Sequence, residues 1–268
     1  YPTILVTIAL KVFILKEKST NNIGFYCLDL KKTQLYHKII SYLRFIFNSK
    51  NHHGIHSPFI FNLVKKGFYK RFSDQNLSLF FDYKKELKRE IKTCKHNEIS
   101  REKGKFIVKL VQYLHLKNIL EIGTSYGMST AAISCASKNL NITSIEECED
   151  IGKIAKQMLQ KYNVKNIRFL IGDYHSILKS IENKTFDLIY LSKKHHEWAS
   201  LELFKSCLPF INNNSVMVFE NIHRSNEMER VWENVKTHSK VTVTVDTFQW
   251  GLVFFREEQQ KEHFIIRI

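Results

Sequence analysis

The residue types best suited to chemistry lie between positions 120 and 223. Leu120-Glu121-Ile122-Gly123-Thr124-Ser125-Tyr126-Gly127-Met128-Ser129-Thr130 follows an apolar run directly and carries two glycines. A chain that bends sharply there needs a residue without a Cβ, and the second glycine lets the start of a helix approach a ligand. Exposed amides at such a bend favour a carboxylate or another anion. Thr124, Ser125 and Ser129 add hydroxyls. A turn that merely joins strand to helix would carry the same glycines, so the acids around it matter. Glu121 precedes the turn and could meet an ammonium group. Glu146 ends the next apolar run, where a carboxylate in a doubly wound sheet can take both hydroxyls of a ribose. Asp173 follows Gly172 at the end of a third run, where it can accept from an adenine amino group. Further along, His195, His223 and Glu220 are candidate general bases, the histidines because they titrate near neutral pH.

Those residues need a scaffold that brings them to one edge. Apolar runs at 118–122, 141–145, 167–171, 186–191 and 215–219 read as strands. Between them, helical patterns cover 130–137, 150–162, 175–180, 197–208 and 227–236. Strands alternating with helices make βαβ units and a parallel sheet, and every acid named above falls at a carboxyl strand end. The ending differs. Residues 241–248 alternate with period two, and 250–256 follow too soon for a crossover, so the two must pair as an antiparallel hairpin. The expected fold is α/β: a doubly wound, Rossmann-like, mainly parallel seven-stranded sheet closed by an antiparallel C-terminal hairpin. Helices predicted over 35–47, 59–69, 82–94 and 105–114 precede it. Ser57-Pro58 between the first two is a good helix start, with Pro at the first helical position. The turn containing His53, His56 and Ser57 could equally cap a ligand pocket.

The domain organisation follows. Residues 1–34 form a poorly defined N-terminal segment, 35–104 a basic helical extension or cap, and 105–268 the sheet domain. Lys and Arg total 41 against 26 Asp and Glu. Residues 1–105 hold 21 basic against 8 acidic, and 106–268 hold 20 against 18, so the excess belongs to the N-terminal part. Such asymmetry suits an anionic partner, although solvated lysine-rich helix faces would produce it too. Hydrophobic residues at 44% exclude a disordered chain. Cys27, Cys94, Cys135, Cys148 and Cys207 are odd in number and form no C-x-x-C pair, which argues against a disulfide framework or zinc ribbon and for a cytoplasmic setting. The apolar stretch 4–15 is interrupted by Lys11 and is too short to span a bilayer, so no membrane is expected.

EIGTSYGMST resembles the first motif of class I S-adenosylmethionine-dependent methyltransferases, in the E-x-G-x-x-x-G-x-S form of the catechol and caffeoyl-CoA O-methyltransferase branch. The G-x-G-x-x-G of dinucleotide enzymes is absent, and the closing hairpin also suits the methyltransferases. HGIHSPFIF, FENIH and DTFQWGLVFF, with the strand end at Glu146, are similar to a methyltransferase group typical of Bacteroidota. The resemblance implies S-adenosyl-L-methionine as cofactor. Glu121, Gly123, Thr124, Ser125, Gly127 and Ser129 would then line its methionine end, Glu146 its ribose and Asp173 its adenine. In the metal-dependent branch a divalent ion takes carboxylates after strands four and five. Here Ser192 would stand where the family has Asp. Glu220 and Asn221 could still ligate, but a serine is a poor ligand for a hard cation and no metal is expected.

The expected function is methylation of a small hydroxylated acceptor, by O-methyl transfer. Two alternatives accompany it: an RNA methyltransferase using the basic N-terminal region, and a diverged, inactive cofactor-binding homologue. The N-P-P-[YF] motif of amino-methylating enzymes is absent. Trp250 is expected to pack the hairpin onto the sheet or to line the acceptor pocket. The sequence leaves the oligomeric state open.

Overall fold

The computed structural model describes residues 25–50, 54–91, 99–181, 184–192 and 197–268. Helix α1 (Phe25–Asn48) comes first, then α2 (Pro58–Asn62), which runs on as a π-helix over Leu63–Phe68. Helices α3 (Ser78–Glu90) and α4 (Arg101–Tyr113) follow. The alternating part is β1 (Asn118–Ile122), α5 (Met128–Ser134), β2 (Asn141–Glu146), α6 (Glu149–Lys161), β3 (Ile167–Ile171), α7 (Tyr174–Ser180), β4 (Leu188–Leu191), α8 (Glu197–Cys207), β5 (Val216–Glu220) and α9 (Asn226–Thr237). Strands β6 (Val243–Asp246), β7 (Trp250–Phe254) and β8 (Glu262–Ile265) complete the sheet.

The strand order is β3-β2-β1-β4-β5-β7-β6-β8. The first five strands are parallel, and β7 runs antiparallel to both β5 and β6. The expected hairpin is therefore present, but the sheet has eight strands and not seven. The additional strand, β8, pairs in parallel with β6, setting Val243 opposite Glu262 and Asp246 opposite Ile265. It is four residues long and half exposed, which leaves little apolar pattern to read in the sequence.

Alternation along the strands divides the interior into two layers. Val216 and Val218 of β5 face one layer with Ile119, Leu188 and Leu252, whereas Met217 and Phe219 face the other with Ile189 and Val253. The second layer is covered by α7, α8 and α9. The first is covered by α3, α4 and α5, with Leu63, Phe80 and Leu87 inside it. Burying each such side chain fully contributes about 1.5–3 kcal/mol. The basic helices are thus one wall of the sheet's own core. Helix α1 reaches back to Phe25 and α4 starts at Arg101, so both expected domain limits, at 34/35 and 104/105, fall inside helices.

Ser57 does cap α2: its hydroxyl accepts from the Ile60 amide, with Pro58 following. His56 is exposed beside it, and His53 lies outside the described residues. Cys135, Cys148 and Cys207 are free thiols. Among the described residues no helix is long and apolar enough to cross a membrane.

Candidate cofactor cleft and acceptor site

The chain winds outward from β1 to β2 and β3, then returns to lay β4 on the other flank of β1. This reversal of strand order opens a crevice at the carboxyl ends of β1 and β4, where open α/β sheets take their ligands. The glycine turn occupies that place. Gly123 has φ +89°, Ser125 +51° and Gly127 +77°, so three of five consecutive residues are left-handed. The turn is tied to the neighbouring strand, because the Gly123 and Thr124 amides both donate to the Ile145 carbonyl, at 2.9 and 3.2 Å.

Two carboxylates hold it from below and beside. Glu146, at the end of β2, is 3% exposed. One of its oxygens accepts from the Ser125 amide at 2.7 Å, the other from the Cys148 amide at 3.0 Å. A carboxylate offers about four acceptor positions, so each oxygen keeps a lone pair for a further donor. Glu121 is completely buried beneath the turn. Its Oε2 accepts from Thr130 at 2.5 Å and from Ser144 at 2.7 Å, and Ser144 also meets Thr124 at 2.6 Å. Its Oε1 has no hydrogen-bond partner. Burial raises the Glu121 pKa above the ordinary carboxylate range, opposed by the hydroxyls of Ser129, Ser144 and Thr130. A buried polar atom left without a partner costs about 1–3 kcal/mol. Thr124 and Ser129 are almost wholly covered, and Thr124 points its hydroxyl at Ser144, under the turn.

The turn also has a roof that the sequence did not disclose. Tyr83 of α3 is fully buried and donates to the Tyr126 carbonyl at 2.7 Å. A Cβ on Gly127 would lie 2.5 Å from the Tyr83 oxygen, so only glycine fits beneath this contact. Burial, followed by the nearby Glu121 charge, holds the phenol pKa far above its usual value.

Asp173 lies at the end of β3 as expected, exposed, and serves as the N-cap of α7. Its Oδ2 accepts from both the amide and the hydroxyl of Ser176, and these bonds, the amide first, lower its pKa.

A second group of side chains gathers at the ends of β4 and β5. Ser192 donates its hydroxyl to the Gly123 carbonyl, and its amide meets the Ile122 carbonyl at 3.2 Å. That serine therefore braces the crevice, tying the end of β4 to the glycine turn. Tyr190, almost entirely buried, donates to Glu220 Oε1 at 2.8 Å. Burial, then the Glu220 charge, raises the Tyr190 pKa well above its usual value. Lys103, in the first turn of α4, brings its Nζ to 3.9 Å from Glu220 Oε1 and 3.5 Å from Asn221 Oδ1. The same ammonium lies 5.7 Å from the centre of the Trp250 ring. Trp250 is 4% exposed and stacks on Phe106 at 4.0 Å with ring planes 10° apart. It packs the hairpin as expected, and its Nε1 has no hydrogen-bond partner. Asn221 is left-handed, with φ +55°. Lys103 and Tyr190 carried no sequence signal beyond one: a phenol in an otherwise apolar strand needs a buried partner.

His223 does not join either group. Its Nδ1 meets Glu229 at 2.8 Å and its Nε2 meets Asp246 at 2.7 Å, so both ring nitrogens are engaged. Burial opposes its charge, but the two carboxylates outweigh burial and raise its pKa. An imidazole held this way is an ion-pair hub and a poor proton acceptor. It lines a cleft of about 620 Å³ between α1, α9 and the β6–β8 edge, none of whose lining residues belongs to the glycine turn. His195 lies outside the described residues. Among the described residues no group of three His, Cys, Asp or Glu is arranged to hold a metal ion.

This geometry agrees with what comparison shows. Residues 120–222 match the family described as a methyltransferase domain. A release factor glutamine methyltransferase of Buchnera aphidicola is 29% identical over 116 residues, covering 41% of this chain and 40% of that protein. The chain thus spans about two fifths of the length of that relative. Among solved structures, the O-methyltransferase TomG of Streptomyces achromogenes, in complex with S-adenosylmethionine, superposes with a TM-score of 0.55 at 18% identity. That match covers 72% of this chain and 95% of TomG. The methyltransferase PaMTH1 of Podospora anserina, bound to S-adenosylhomocysteine, gives 0.61 at 13% identity over 76% and 97%. The fold is the Rossmann-like methyltransferase fold, and residues 120–222 are similar to a methyltransferase domain.

Proposed function

We propose that the protein is an S-adenosylmethionine-dependent methyltransferase that O-methylates a small hydroxylated acceptor. The observation that carries this reading is Glu146: a buried carboxylate, clamped to the Ser125 amide of the glycine turn, with lone pairs left for two ribose hydroxyls. The unsatisfied Glu121 Oε1 suits the ammonium at the methionine end, and Gly123, Thr124, Ser125, Gly127 and Ser129 shape the backbone around it. Asp173 keeps Oδ1 for the adenine amino group. When bound, the cofactor would supply a methyl group carried on a sulfonium: an acceptor oxygen would bond to that carbon as the carbon–sulfur bond breaks, with the thioether as leaving group and the acceptor's proton released. The chain's own work is to bind, orient and exclude water. Glu220 stands where that proton would be received, oriented by Tyr190. The motif resemblance to the Bacteroidota group belongs to the same reading. Nothing in the structure favours RNA as acceptor or a lost activity.

Calorimetric titration with S-adenosylhomocysteine tests the proposal. Micromolar binding is expected, and no uptake by the folded protein would overturn it.

A further inference from the structure

The metal-dependent O-methyltransferases place a divalent ion beside the acceptor, and the residues at that place here do not suit one. Ser192 offers only a neutral hydroxyl, a poor ligand for a hard cation, and that hydroxyl donates to the Gly123 carbonyl. Glu220 and Asn221 both face the Lys103 ammonium, which already brings a positive charge to within 4 Å of each. A divalent ion held by the same two oxygens would stand against that ammonium, and like charges so close in a part-buried site repel strongly. Lys103 and Glu220 are only 17% and 12% exposed. Lys103 is also not a surface lysine folded down by chance. Its helix starts at the Ser100 cap, whose hydroxyl accepts from the Lys103 amide, and the side chain extends over the Trp250 ring, itself fixed by stacking on Phe106. Asn221 is held in its left-handed conformation by backbone bonds to Gln249 and Arg224.

We propose that Lys103 is a built-in cation that takes the place of the divalent metal, neutralising Glu220 and offering a donor to the acceptor oxygen beside it. The proposal rests on the methyltransferase reading and deepens it. An ammonium has three N–H donors, of which two face Glu220 and Asn221. The charge comes from the basic N-terminal helices, so that part of the chain is built into the acceptor site and is more than a covering layer.

The experiment compares the wild-type chain with Lys103→Met, Lys103→Arg, Glu220→Gln and the double variant Lys103→Met/Glu220→Gln. Each is titrated calorimetrically with manganese(II) alone and, separately, with S-adenosylhomocysteine. Methionine keeps the length and packing of the lysine stem and removes its charge. The expected result is negligible manganese uptake by wild type and Lys103→Arg, at least tenfold tighter uptake by Lys103→Met, and its loss in the double variant. Manganese binding to wild type that Glu220→Gln alone abolishes would overturn the proposal. So would a folded Lys103→Met that gains no affinity. Failure of wild type to bind S-adenosylhomocysteine would instead remove the methyltransferase reading, and the manganese comparison would still report on Lys103.

Discussion

Replacing Glu146 with alanine probes the cofactor cleft most directly. The carboxylate accepts two backbone amides, from Ser125 at 2.7 Å and from Cys148 at 3.0 Å, and it is 3% exposed. A hydrogen bond to a charged group contributes about 1.5–3 kcal/mol, so losing both of these internal bonds removes about 3–6 kcal/mol of interaction from the fold. The loss in affinity is separate and is expected at about 1–3 kcal/mol, the worth of the ribose contacts, or roughly 5- to 150-fold in Kd. The loss of the internal bonds should appear as a lower melting temperature, because the turn is then no longer tied to the end of β2 through Glu146. Glu146→Gln should fall between, since its single carbonyl oxygen can serve one amide but turns an NH₂ group toward the other. The assay is calorimetric titration with S-adenosylhomocysteine at 25 °C, with thermal melts of the same samples. A folded Glu146→Ala that binds within twofold of wild type would refute the ribose assignment.

Four further outcomes follow from the same geometry. Gly127→Ala should destabilise by about 1–3 kcal/mol, because φ is +77° and the new methyl meets the Tyr83 oxygen. Tyr83→Phe should cost about 1–3 kcal/mol by removing the hydroxyl's bond to the Tyr126 carbonyl, and the double variant should be less damaged than the two losses added, which denaturant melts of all four proteins would show. Because its folded pKa is raised, the stabilisation from His223 should be full below pH 6.5 and fade as pH rises through the folded value. Glu229 has a lowered pKa, so its share should be full above pH 4.5 and fade on acidification. The melting difference between wild type and His223→Asn should therefore be greatest between those limits and shrink on either side. Peptide mapping after alkylation should find exposed Cys148 modified in the native protein and buried Cys207 only after unfolding.

The parts of this fold that can be read from sequence are those in which local pattern and tertiary role coincide. Strands β1, β4 and β5 are nearly continuous apolar runs because both faces are covered. The glycine turn is legible because backbone conformation there depends on the missing Cβ itself. The hairpin is legible because a short connection forbids a crossover. Strand β8 has no such signature: Glu262 and His263 are exposed, and only pairing with β6 makes the segment a strand. The site residues divide in the same way. Glu121 and Glu146 sit at strand ends that the motif marks. His223 looked like a base because its partner Asp246 comes from a different strand, and no spacing announces that contact. Lys103 was one lysine among many in a basic segment, and it acquires meaning only when α4 lies over the hairpin. The expected limits at 34/35 and 104/105 fell inside helices for a similar reason, since charge changes along the chain where packing does not.

The outer side of β8 is not bare. Lys50, just past the end of α1, forms a bridge to Ile266, its amide meeting the Ile265 carbonyl at 2.9 Å. The last rung of the sheet is therefore a splice between distant stretches of chain, and joining them carries the entropy of closing a very long loop. Such a splice should form last on folding and open first under stress. While closed, it blunts the rim along which a second molecule could otherwise add a strand.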